Sequence, residues 1–187
     1  MSTGPARDPV APPAADLRAL LDREAIRDCL YRYCRGIDRC DEDALRSAYW
    51  EDATDCHGAW NGSAAGFIDQ VLARLRQGGR RVHQVTNVLI ALHGDAATVE
   101  SSFFALQSPA TAPAQETFLC GRYLDRFERR GGEWRVAART VAYDWIEERS
   151  RPELARGDAA LFGARQPVGA PMPQDPLYAL LGRLERG

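Results

Sequence analysis

FIDQVLARLRQGGRRVHQVTNVLIAL, residues 67–92, changes its hydrophobic period half-way along. Phe67, Ile68, Val71, Leu72 and Leu75 recur at three and four, the spacing of one helix face. The double glycine Gly78-Gly79 stops that helix, and the following residues, rich in Val and Thr, read as a strand. Everything upstream keeps the helical period. Leu17, Leu20, Leu21, Ile26, Leu30 and Cys34 predict a first helix, interrupted only weakly by Gly36. The acidic run Asp41-Glu42-Asp43 suits the N-terminus of a short second helix carrying Ala44, Leu45, Ala48 and Tyr49 and closed by Glu51-Asp52. Residues from Thr54 to Trp60 predict a short strand turning at Asn61-Gly62.

Downstream, four extended segments are expected: Val82 to Leu92, Ala97 to Gln107, Glu116 to Arg129 and Trp134 to Ile146. Short Gly-bearing connectors make antiparallel neighbours. Helices first and a strand meander afterwards give an α+β domain, its N-terminal helices packed on a curved antiparallel sheet that encloses a pocket. The expected boundaries are a disordered arm at 1–15, the domain at 16–146, and a Pro-rich tail at 147–187. The tail ends in a short helix around Tyr178, Leu180, Leu181 and Leu184 and packs on the domain or on a neighbouring subunit.

Composition removes several classes of function. The 187 residues suffice for one cored domain. Lys plus Arg number 24 against 26 for Asp plus Glu, so no general basic field attracts nucleic acid or an anionic membrane. The opening MSTGPARDPVAPPAAD lacks the charged and apolar regions of a secretory signal, and no apolar run is long enough for a membrane span; a cytoplasmic protein is expected. Five cysteines with no C-x-x-C pair signal neither a disulfide framework nor a zinc site, and no metal is expected.

Chemistry enters at Asp38. In steps of four the first helix runs Ile26, Leu30, Cys34, Asp38, so its core-facing stripe ends in a carboxylate. A carboxylate held against a core needs a partner. His83, in the first long strand, is a candidate, and an Asp that orients an imidazole makes a general base. On spacing alone Asp38 reads rather as a residue that ends its helix or caps the next. Alternation puts His83, Val85, Asn87 and Leu89 on one strand face, and Arg139, Val141, Tyr143 and Trp145 on one face of the last strand. If both face inward, a cation and an aromatic wall meet the histidine; Arg139 reads as well as an outward surface residue. Tyr33 points its phenol to the same cavity or stands as a core aromatic, and His57 is a further candidate for the lining. Trp60 is a core aromatic by default and a candidate for the same wall.

These pieces, in this order, resemble the nuclear-transport-factor-2-like superfamily in its SnoaL-like branch. The resemblance is carried by REAIRDCLYRYCRGIDRCDEDALRSAYWEDATDCHG, then VHQVTNV, then GRYLDRFERRGGEWRVAARTVAYDW, and spans roughly Leu17 to Ile146. It implies a cone-shaped fold. In the bile-acid 7-alpha-dehydratase and hexachlorocyclohexane dehydrochlorinase members, an Asp near the end of the first helix pairs with a His that precedes a Thr-Asn pair in a strand. Asp38 and His83 stand at those positions. Five residues before the Asp those members carry a Tyr or a Lys, here Tyr33, and their last-strand Arg is matched by Arg139.

By this resemblance, which extends to scytalone dehydratase, the chain is expected to be a cofactor-independent lyase on a hydrophobic polycyclic or aromatic small molecule. His83 would be the base, Asp38 its orienter, Tyr33 a donor to the leaving group, and Arg139 a stabiliser of developing negative charge. Tyr143, Trp145, Val85, Asn87, His57 and Trp60 would line the substrate. A ketosteroid-type isomerase or a formaldehyde-releasing aryl-diol lyase begins with the same proton transfer. A ligand-binding protein or dioxygenase small subunit uses the fold without chemistry. Relatives associate as homotrimers or homodimers, and one of these is expected.

Overall fold

The computed structural model describes residues 14–184. Helix α1 spans Ala14–Arg39 and buries Ile26, Cys29, Leu30, Tyr33, Cys34 and Ile37, the stripe read from the sequence. It closes at Cys40, whose φ of 52° is left-handed, with the Asp41 amide donating to the Gly36 carbonyl at 3.0 Å. Asp41 then caps α2 (Glu42–Arg46) by accepting from the Ala44 amide at 3.0 Å. The second helix is therefore shorter than expected. Tyr49 already opens strand β1 (Tyr49–His57), because its ring is needed in the core rather than on a helix face.

A two-residue turn at Gly58-Ala59, with Gly58 at φ 62°, pairs β1 with β2 (Trp60–Ser63). The turn expected at Asn61-Gly62 falls inside β2, since Cys56 faces Asn61 and Asp55 faces Gly62. Ser63 caps α3 (Ala64–Leu75), accepting from the Gly66 amide at 3.1 Å. The long strands follow: β3 (Gly79–His93), β4 (Ala96–Pro109), β5 (Gln115–Arg130) and β6 (Glu133–Ser150). The six-stranded sheet is curved and unclosed, in the order β2-β1-β6-β5-β4-β3. It is mixed rather than purely antiparallel, because β1 lies parallel to β6.

Alternation along β3 and β6 is interrupted, and the interruptions decide what faces the core. In β3 the register slips between Thr86 and Leu89, with Asn87 at φ 48° as the extra residue. His83 and Val85 turn inward before the bulge; Val88, Ile90 and Leu92 do so after it, leaving Leu89 65% exposed. In β6, Cys120 faces Trp145 but Gly121 faces Tyr143, so Asp144 is the extra residue. Beyond it Ile146, not Trp145, takes the inner face.

The core is α1 and α3 against the concave side of the sheet, with Ile26, Leu30, Leu72, Val99, Phe127 and Val136 among its fully buried side chains. Each contributes about 1.5–3 kcal/mol.

Of the expected arm at 1–15, residues 1–13 lie outside the described residues, while Ala14 and Ala15 begin α1. After β6 the tail forms a short 3-10 turn (Pro152–Arg156), α4 (Asp158–Phe162) and α5 (Pro176–Leu184). It docks where α1 meets α2: the Met172 amide donates to the Arg39 carbonyl at 2.7 Å, and the Tyr178 hydroxyl donates to Asp41 Oδ2 at 2.8 Å. Arg80 of β3 pairs with Asp158 and stacks on Phe162 at 5.3 Å. No helix among the described residues is long and apolar enough to cross a membrane.

Gly36 sets the α1–α2 approach: a Cβ there would lie 2.6 Å from the Leu45 Cβ. Gly36→Ala is therefore expected to lower the unfolding free energy by about 1–3 kcal/mol in a urea titration. An unchanged midpoint would show that the two helices are not in hard contact.

Candidate active site

Asp38 is the penultimate residue of α1 and reaches β3 with both carboxylate oxygens. Oδ2 accepts from the His83 backbone amide at 2.9 Å, and Oδ1 lies 2.6 Å from His83 Nδ1. A carboxylate can only accept, so Nδ1 carries the proton and Nε2 is left as the ring's free basic nitrogen. Both side chains are nearly buried, 10% exposed for Asp38 and 13% for His83.

His83 forms part of the wall of a cavity of about 720 Å³ between α1, α3 and the concave sheet. Tyr33 and Ile37 of α1 line it, with Phe67 and Val71 of α3 and Phe103, Leu119, Tyr123 and Ile146 of the sheet. His57, Trp60 and Tyr143 line it as well. A shallower depression of about 810 Å³, between Asp28, Arg32 and Arg35 of α1 and the β5–β6 turn, opens to solvent and holds none of these groups.

A layer of buried charge supports the cavity from behind. Arg139 is fully buried and bidentate on Asp125, Nε to Oδ1 at 2.8 Å and Nη2 to Oδ2 at 2.7 Å. Its guanidinium lies 4.3 Å from the Tyr33 ring centroid and 4.2 Å from that of Tyr123. Burial opposes the charge on Arg139, but Asp125 outweighs it and the guanidinium is held charged. Nη1 donates to the Tyr49 hydroxyl at 3.3 Å, which donates to Asp55 Oδ2 at 2.7 Å. Among the described residues Asp55 Oδ1 makes no hydrogen bond; it lies 3.6 Å from His57 Nδ1, which is likewise unpartnered. The His57 ring stacks on Phe67 at 4.6 Å. Burial pushes the Tyr33 phenol well above its ordinary range, with Arg139 opposing only in part, so Tyr33 is a hydrogen-bond donor and not a base.

The candidates read from the sequence thus divide. Tyr33, His83, His57, Trp60 and Tyr143 meet at one cavity, and Asp38 stands behind His83. Arg139 does not line the cavity: Asp125 claims its donors, and the Tyr33 and Tyr123 rings lie against it. Val85 packs against the core under α1, Asn87 is spent on the β3 bulge, and the β6 bulge turns Trp145 outward to 60% exposure. The sequence reading missed Arg81, Arg74, Tyr123 and Asp125. Arg81 was within reach of alternation, two residues before His83 on the same strand face. Tyr123, Asp125 and Phe127 alternate inward along β5 in the same way. Among the described residues no group of three or more His, Cys, Asp and Glu side chains is placed to hold a metal ion.

A SnoaL-like domain matches residues 18–140. The chain belongs to the SnoaL-like domain family. Its helices on a curved sheet are the nuclear-transport-factor-2-like fold of that branch. Among solved structures, the SnoaL-like domain is similar to hexachlorocyclohexane dehydrochlorinase LinA of type 2, at 22% identity over 72% of this chain and 93% of that one, with a TM-score of 0.66. It is similar to a protein assigned as a scytalone dehydratase from Novosphingobium aromaticivorans DSM 12444, at 15% identity over 85% of this chain and 98% of that one, TM-score 0.64. A β subunit assigned to an aromatic-ring-hydroxylating dioxygenase of the same organism is 21% identical over 70% of this chain and 94% of that one, TM-score 0.56. These likenesses establish a shared fold. No curated protein matches the chain in sequence.

Asp125→Asn would leave the Arg139 charge buried without its counter-ion. It is expected to cost about 3–5 kcal/mol of stability by chemical denaturation, and Asp125→Leu with Arg139→Met to recover most of that loss. Equal stability of Asp125→Asn and wild type would contradict the buried pair.

Proposed function

We propose that the protein is a cofactor-independent lyase that removes water or a similar leaving group from a hydrophobic polycyclic or aromatic molecule. The observation that carries this reading is the Asp38–His83 pair at the wall of an apolar cavity. His83 Nε2 takes a proton from a C–H acidified by a neighbouring carbonyl or ring, and Asp38 stabilises the imidazolium that forms. The electrons of that C–H bond become the new double bond as the adjacent C–O or C–halogen bond breaks. A departing hydroxide takes the proton from the His83 imidazolium, which restores the base, and leaves as water; Tyr33 donates a hydrogen bond to the oxygen that gains charge. Arg139 takes part through Tyr33, whose ring it supports, rather than by touching substrate. A double-bond shift or release of formaldehyde from an aryl diol would use the same first step.

Self-association belongs to the same reading, as a homodimer or homotrimer through the outer face of the sheet. Leu89, Phe104, Leu106, Leu124 and Trp145 are exposed on the sheet strands, and Phe104 and Trp145 flank Cys120 on neighbouring strands. Phe104→Glu with Trp145→Glu is expected to give a monomer by light scattering; an unchanged molar mass would move the contact elsewhere.

The catalytic reading is tested with a panel of cyclic β-hydroxy ketones, following the conjugated enone by absorbance, and chlorinated cyclohexanes, following released chloride. With the member that wild type turns over, His83→Ala and Asp38→Asn are expected to lower kcat by about 100- to 10,000-fold. Tyr33→Phe is expected to lower it by about 100- to 1,000-fold. Full turnover by a correctly folded His83→Ala would sink the mechanism.

A further inference from the structure

Arg81 is a buried cation without a buried anion. It is 7% exposed, yet no carboxylate among the described residues lies within 4.0 Å of its guanidinium. Its Nη2 donates to the Leu75 carbonyl at 3.2 Å and the Gly78 carbonyl at 2.9 Å, and its Nη1 to Cys40 Sγ at 3.2 Å. Those carbonyls close the C-terminus of α3 and offset part of the charge. The rest is uncompensated, and a buried guanidinium ordinarily has a carboxylate or a ligand to meet it.

The surroundings repeat the pattern. The main cavity adjoins a second space of about 300 Å³: Arg74, Leu75, Arg81 and Gln107 line both and so stand at the neck between them. Neither lining contains an Asp or a Glu, while the main cavity has two arginines and the smaller space three, with Arg80. Arg80 is engaged by Asp158, but Arg74 has no ion-pair partner among the described residues. Three carboxylates stand behind the main cavity's wall: Asp38 on His83, Asp125 on Arg139, and Asp55 with one oxygen on Tyr49 and the other beside His57. Positive charge therefore collects at the neck between the two spaces, next to a wall of low dielectric.

We propose that this neck is an anion subsite and that the ligand is amphipathic, with an apolar ring body in the main cavity and a carboxylate or phosphate on Arg81 and Arg74. Planar guanidinium forks suit both anions. Calling that ligand the substrate rests on the lyase reading; the subsite itself does not. Arg81 and His83 share a strand face two residues apart, about 7 Å, so the anionic group lies only a few bonds from the C–H that His83 would deprotonate.

The test is equilibrium binding, by isothermal titration at low salt, of naphthalene-2-carboxylate, 2-naphthyl phosphate and the neutral naphthalene-2-carboxamide. One or both anions are expected to bind about tenfold or more tightly than the amide, with the difference shrinking as salt rises. The better of the two identifies the anion. Arg74→Gln, at an exposed position, is expected to narrow the preference several-fold without loss of helical signal; Arg81→Lys should narrow it further. Equal binding of all three probes, no binding of either anion, or a preference unchanged in Arg74→Gln overturns the subsite. If Arg81→Lys fails to fold, Arg74→Gln and the salt series decide. Selective anion binding by a protein without turnover refutes the lyase reading alone.

Discussion

One carboxylate joins the two halves of this fold. Asp38 stands at the end of the first helix and His83 near the start of the first long strand, 45 residues apart, and the carboxylate accepts from both the backbone amide and the ring of the histidine. The backbone contact locks helix against strand, and the ring contact leaves one nitrogen free. The same contact therefore positions the helix on the sheet and fixes the tautomer of the candidate base. An isolated carboxylate so nearly buried would be costly, and two charge-assisted hydrogen bonds offset that cost.

Behind the cavity the chain concentrates charge where an apolar core would have sufficed. Asp125, Arg139, Tyr49 and Asp55 form one hydrogen-bonded chain that ends on an unpartnered Asp55 oxygen beside His57. Replacing such a pair by apolar residues is often neutral for stability, so its presence here is understood as support for the Tyr33 and Tyr123 rings that line the cavity. The cavity itself carries arginines and no carboxylates on its surface, an arrangement that separates a negative layer behind the wall from a positive neck in front of it.

How far all this could be read beforehand depends on where local period holds. The helical stripe of α1, the switch of period at Gly78-Gly79 and the long strands follow from side-chain spacing, and the placement of His83 opposite Asp38 agrees with the resemblance drawn from the same residues. Two single-residue bulges defeated the rest. An inserted residue reverses the faces of everything beyond it, so strict alternation assigned Asn87 and Trp145 to a wall they do not reach and overlooked Ile146. Arg139 was expected in the cavity or at the surface and is in neither, because its partner Asp125 lies on the adjacent strand, in a register that no local pattern discloses. The parallel pairing of β1 with β6 is non-local for the same reason.

The central claim is that Asp38 holds His83 with Nδ1 protonated and Nε2 free toward the cavity. Long-range proton–nitrogen correlation NMR of the imidazole, on wild type and Asp38→Asn, reads this directly. An Nδ1-H tautomer is expected in wild type, with a strongly downfield Nδ1 proton that is lost in Asp38→Asn. A wild-type ring carrying its proton on Nε2, or spectra that do not change in the variant, would contradict it.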